Sequence, residues 1–153
     1  MTNRPSKNMF KISLPLLGLM LLLAGFAPAA ALPRARELSI RGEFSGTGEA
    51  FSGVVSRLGP FEGVIDNTSE PPSAVWTAAN GDTLTNITTS FEIDFSAPVE
   101  PTRYPYTQTI EFTGGTGRFQ YTTGSAEIVG TIDVLTLAYD GRINGSISAS
   151  NSE

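Results

Sequence analysis

Six side chains place a polar or aromatic group where the surrounding pattern calls for an apolar one: Tyr104, Tyr106, Gln108, Tyr139, Trp76 and Arg57. Gln108 lies between Tyr106 and Ile110 in an alternating run, so its amide falls on the apolar face, where a buried amide must find hydrogen-bond partners. Tyr104, Tyr106 and Tyr139 can offer hydroxyls to the same interior. Arg57 follows Phe51 and Val55 in parity, which points a guanidinium inward. Trp76 is suited to line a barrel mouth, although Val75 and Thr77 on either side leave its direction open. The chemistry open to such a set is recognition, with a few polar anchors in an apolar lumen holding a small ligand. Core or rim packing is the ordinary competing use of each.

Other chemistries are closed off by what the chain lacks. It contains no His and no Cys, so the commonest general base and zinc ligand is missing, as are thiolate metal sites and disulfides. Ser and Thr are abundant, but a serine nucleophile would lack its usual base, which argues against triad hydrolysis. The cluster Gly114-Gly115-Thr116-Gly117 has the look of a phosphate cradle. Such loops feed a helix N-terminus, whereas Arg118 and Phe119 are expected to lead into more strand. Glu92 and Asp94 share one strand face, and Glu111, Glu127 and Asp133 fall on neighbouring strands, all at the polar parity of a solvated outer face. No stretch has the carboxylate spacing of a calcium loop. No cofactor and no metal are implied.

The elements that must hold these residues follow from the order of the chain. Arg4, Lys7 and Lys11, then the apolar run from Ile12 to Phe26, then Ala27-Pro28-Ala29-Ala30-Ala31 have the layout of a cleaved secretory signal. The apolar run is shorter than the roughly 20 residues of a spanning helix. Residues 1–31 are therefore expected to be a signal peptide and 32–153 a single exported domain, periplasmic or extracellular, with no membrane insertion once processed. Of ten basic residues, three leave with that segment, so seven arginines face fifteen carboxylates and the formal net charge falls from −5 to −8. That balance argues against nucleic acid and anionic membrane surfaces, which need clustered Lys or Arg.

The body of the chain is rich in Thr, Ser, Gly and β-branched residues and reads as a succession of strands. Leu38, Ile40 and Phe44 alternate with charged residues. Glu49 to Leu58 is expected as a second strand, broken at Gly59-Pro60 before Phe61 to Asp66. Asn80-Gly81 signals a two-residue type I′ hairpin. In the returning strand, Asp82 to Phe95, the odd positions Ile87, Phe91, Ile93 and Phe95 are expected to face the core. Ala97 to Pro105 contains three prolines and reads as a connection. Thr109 to Gly130 reads as strand, tight glycine corner and strand, and Leu135, Leu137, Tyr139, Ile143 and Ile147 as the apolar parity of the last strand. Seven or eight antiparallel strands leave a sandwich or a closed barrel. Glycines inside strands (Gly42, Gly53, Gly63, Gly130, Gly141, Gly145) favour a strongly coiled, closed barrel, which also removes exposed edges.

Five landmarks in order resemble those of bacterial proteins similar to the allene oxide cyclase barrel. They are Leu58-Gly59-Pro60-Phe61-Glu62-Gly63, Ala78-Ala79-Asn80-Gly81-Asp82-Thr83-Leu84, Phe112 to Phe119, Thr123-Gly124-Ser125-Ala126 and Tyr139-Asp140-Gly141. The resemblance spans nearly all of the mature chain. It implies an all-β, calycin-like, eight-stranded antiparallel barrel, related in shape to allene oxide cyclases and dirigent proteins, whose cavities bind hydrophobic small molecules. The landmarks are turns and core positions, and no catalytic residue of the plant enzymes matches here, so cyclase activity is not implied.

Three uses of such a barrel differ in what they require. A binding module for a small hydrophobic molecule needs an internal cavity with polar anchors such as Tyr106, Gln108 and Tyr139. A structural or interaction protein needs a filled barrel, with the loops Asn67 to Ser73 and Ala97 to Pro105 beside an apolar patch. An enzyme of cyclase or isomerase type needs a buried carboxylate or amide beside the cavity. The binding module ranks first and the enzyme last. Oligomers are compatible with all three. Asn67-Thr68-Ser69, Asn86-Ile87-Thr88 and Asn144-Gly145-Ser146 fit the glycosylation pattern.

Overall fold

The computed structural model describes residues 36–149; the expected signal segment 1–31 lies outside them. Eight strands make one closed antiparallel barrel in sequence order: β1 (Arg36–Thr47), β2 (Ala50–Val55), β3 (Gly59–Asp66), β4 (Ser73–Ala78), β5 (Thr83–Ile93), β6 (Arg103–Gly115), β7 (Thr123–Asp133) and β8 (Ala138–Ala149). Closure is made by β1 and β8, which pair from Arg36↔Ala149 to Thr47↔Ala138. No strand is left with an open edge, which a disulfide-free sheet would otherwise have to protect. The sequence favours this all-β barrel through its short alternating runs, and the structure adopts it.

Alternation puts one face of each strand inside. Ile40 and Phe44 on β1, Phe51 and Val55 on β2, Phe61 on β3, Trp76 on β4, Ile110 and Phe112 on β6, Ile128 on β7 and Ile143 and Ile147 on β8 are all buried. Aromatic rings link five of these strands. Phe44 packs edge-on to Phe51 at 5.7 Å, Phe51 to Phe61 at 5.8 Å, Phe61 stacks on Trp76 at 4.9 Å, and Trp76 meets Phe112 edge-on at 5.7 Å. Each such pair adds about 0.5–1.5 kcal/mol beyond the burial of its area. The rings need room on the opposing backbone, and Gly63 supplies it: a Cβ there would overlap the Phe51 ring.

Several local expectations are corrected. The hairpin joining β4 to β5 runs through residues 79–82, with Gly81 N donating to Ala78 O and Ala78 N to Asp82 O; Gly81 alone of these has positive φ (86°), so the turn is not a two-residue type I′. Its Asn80 closes the corner by accepting from Asp82 N at 3.1 Å. Gly59 and Pro60 belong to β3, because the break falls earlier, at residues 56–58. Pro105 lies inside β6: its carbonyl accepts from Asp94 N beyond the end of β5, so its missing N–H faces a place where the ladder has already ended. The corner after β6 contains a short 3-10 helix, Gly117–Phe119, so Arg118 and Phe119 do not lead straight into strand. Leu135 and Leu137 lie in the β7–β8 turn, exposed, not in the last strand.

The largest correction concerns β5. Leu84 and Asn86 are buried while Phe91 and Ile93 lie further out, so the inward parity is even in the first half and odd in the second. Thr88 pairs with Ile110 and Ser90 with Thr109, leaving Thr89 as an extra residue; a second irregularity leaves Thr113 extra on β6. A bulge of one residue exchanges the two faces of a strand.

Candidate functional site

The two ends of the barrel are built differently. At one end the turns at residues 56–58, 79–82 and 116–122 bring Leu58, Phe119 and Thr122 inward as a plug, all buried. Arg118 ties that end together, its Nη2 donating to Leu58 O at 3.1 Å while its guanidinium lies 4.8 Å over the Phe119 ring. At the other end the turns between β1 and β2 and between β7 and β8 are joined by Gly48 N donating to Leu137 O at 3.1 Å. Between plug and mouth lies a cavity of about 470 Å³.

Its lining draws on most of the strands. Phe44, Phe51, Ile65, Ala74, Trp76, Ile110, Ile128 and Ile132 make most of the wall, and Gly48, Glu49, Asn67, Pro72, Phe91 and Leu137 contribute from the side of the mouth. The polar members deeper in are Asn86, Thr88, Tyr106, Gln108 and Tyr139. Among the described residues Glu49 is the one charged member of the lining, and it is itself exposed. Volume and character fall within the about 300–1,000 Å³ of predominantly apolar sites that hold small molecules.

Four of the six residues singled out in the sequence come together here: Trp76, Tyr106, Gln108 and Tyr139 all line the cavity. Trp76 turns fully inward on β4, which resolves its direction. Gln108 does meet its need for a partner within the chain, donating from Nε2 to Thr88 Oγ1 at 2.8 Å. Tyr106 is buried and tilts against Phe91 at 5.4 Å. Burial, and secondarily the nearby Tyr139 and Asp140, push its phenol well above the ordinary range. Burial raises Tyr139 to about 12. Both are therefore neutral hydroxyls at ordinary pH, suited to hydrogen bonding.

The other two are elsewhere. Tyr104 is half-buried near the start of β6 and packs on Phe95 at 5.1 Å, outside the lining. Arg57 is exposed in the β2–β3 turn at φ 75° and sends no guanidinium inward; parity carried from Phe51 and Val55 fails because β2 ends at Val55. The carboxylates at the polar parity stay outside: Glu92, Asp94, Glu111 and Glu127 are exposed. Asp133 caps the β7–β8 turn, accepting from the backbone of Thr136, from Thr102 Oγ1 and from the backbone of Leu135, which together lower its carboxyl to about 2.

Asn86 and Thr88 are the cavity residues that strand parity misassigns. Asn86 is 3% exposed, and its Nδ2 has no hydrogen-bond partner. Being buried, it cannot accept a glycan in the folded protein, whereas Asn67 and Asn144 are exposed. A signal for the pair was present: Leu84 carries the apolar parity at an even position and Phe91 at an odd one, a phase change that only a bulge between them can produce.

Comparison with known proteins finds no matching family model, no matching curated protein and no matching solved structure.

Proposed function

We propose that this protein is an exported barrel that binds a small hydrophobic molecule in its lumen. The observation that carries the reading is the cavity of about 470 Å³, walled by aromatic and aliphatic side chains, in a barrel plugged at one end only. A barrel whose role was purely structural would gain from filling that space, since each unfilled void forfeits packing contacts. The five landmarks resembling allene oxide cyclase-like barrels point the same way, and the layout of residues 1–31 supports export. The buried Asn86 amide beside the cavity is also what a cyclase or isomerase would need, but among the described residues no carboxylate or imidazole lies deep in the lining, so a carrier or sequestering role fits better than acid–base catalysis.

The test is organic extraction of the protein purified from its own host, together with titration of the emptied protein with Nile red. A stoichiometric apolar compound, or saturable dye uptake with blue-shifted emission, is the expected result. Ala74→Leu, which fills part of the lumen, should weaken uptake severalfold while leaving far-ultraviolet circular dichroism unchanged. No extractable compound and no dye uptake, or uptake indifferent to Ala74→Leu, would overturn the reading.

A further inference from the structure

We infer that the lumen is built for an uncharged, largely apolar ligand bearing a carbonyl oxygen, and that the Asn86 amide receives that oxygen. The inference rests on the reading of the lumen as a ligand site and specifies the chemistry of what enters it.

Asn86 lines the cavity at 3% exposure, and its Nδ2 is a buried donor without a partner. Such donors are rare in native proteins because the unmade bond leaves the full desolvation penalty standing. No group among the described residues accepts from it. Its register neighbours are Ala74 on β4 and Phe112 on β6, neither of which has a side-chain acceptor. Gln108 on β6 and Thr88 on β5 bond to each other, Gln108 Nε2 donating to Thr88 Oγ1, and neither bonds to Asn86. A carbonyl oxygen brought in by a ligand would satisfy it.

The placement of Asn86 follows from the backbone. Without the extra residue Thr89, the inward parity of Phe91 and Ile93 would run back through β5 and turn Asn86 and Thr88 to solvent, as the alternation alone predicts. Bulges that re-aim a side chain recur beside functional sites. The charge of the lining sets the rest of the class. Among the described residues no Lys or Arg lines the cavity, and Glu49 stands among those at the mouth. A carboxylate or phosphate ligand would enter past a like charge and be buried unpaired, which is strongly unfavourable. A ketone, aldehyde or ester has the acceptor without the charge, and Trp76, Phe91 and Tyr106 give its apolar body flat surfaces.

The experiment titrates the emptied full-length protein with three compounds of similar shape: 2-acetylnaphthalene, 2-isopropenylnaphthalene, in which a methylene replaces the oxygen, and anionic 2-naphthoate. Binding is followed by calorimetry and by quenching of Trp76, the single tryptophan of the chain. The ketone should bind about tenfold more tightly than the alkene, the size of effect one satisfied hydrogen bond produces, and naphthoate most weakly. Asn86→Leu should erase the ketone's advantage over the alkene. Should that variant not fold, the C=O stretch of the bound ketone in the unaltered protein decides, a shift to lower wavenumber than in hexane being expected. Equal binding of ketone and alkene, a ketone preference that survives Asn86→Leu, an unshifted stretch, or naphthoate as the tightest of the three would overturn the assignment to Asn86. Equal binding of both neutral compounds leaves the lumen as a ligand site. Failure of all three to bind removes that reading as well.

Discussion

At Asn86 a donor buried without a partner opposes folding of the empty protein by about 1–3 kcal/mol. Asn86→Leu keeps nearly the same volume and removes the polar atoms, so the empty variant should be more stable by roughly 1–2 kcal/mol, read as a higher urea midpoint with an unchanged slope. An unchanged or lowered midpoint would mean that the amide is satisfied in solution. Gly63 makes the opposite case at the same scale. The Phe51 ring lies where its Cβ would be, so Gly63→Ala should destabilise by about 1–3 kcal/mol through overpacking, with the urea midpoint as the measure. Gln108 was legible from its place between Tyr106 and Ile110, and it is the residue whose polar need the chain itself meets. Arg57 was not, because parity says nothing once a strand has ended.

The β7–β8 turn is an element held by one carboxylate. Asp133 accepts from two backbone N–H groups and the Thr102 hydroxyl, and its carboxyl is lowered to about 2. A group whose pKa is lower folded than unfolded stabilises fully above its unfolded value, near 4 for an aspartate, and loses that contribution as pH falls toward its folded one. Stability should therefore decline between pH 4 and pH 2, and the decline should be shallower in Asp133→Asn, measured as urea midpoints across that range; parallel pH profiles would contradict the role. In strand β5 the local pattern leaves the inward face open. Its composition announced a strand, but the side that faces the core depends on whether Thr89 is paired or looped out, and that is settled by the ladder with β6.

For the whole molecule, closure joins the first described strand to the last: β1 and β8 are about a hundred residues apart in sequence yet pair along their entire lengths. Such non-local pairing must absorb loop-closure entropy before it gains contacts, so refolding should proceed in milliseconds to seconds and not microseconds. Trp76 fluorescence in stopped-flow refolding is the measurement, and a submillisecond main phase would count against closure as the slow step. The class of structure was legible from local pattern: strand periodicity and glycines inside strands specify a coiled antiparallel sheet, because alternation is a local property of side chains on a pleat. The lack of His and Cys likewise narrowed the chemistry before any coordinates. That one end is plugged by Leu58, Phe119 and Thr122, that the lumen keeps about 470 Å³ and that Asn86 faces it emerge from the folded barrel alone. Those outcomes depend on pairing register and on rings meeting across strands distant in sequence, and neither is carried by a local pattern.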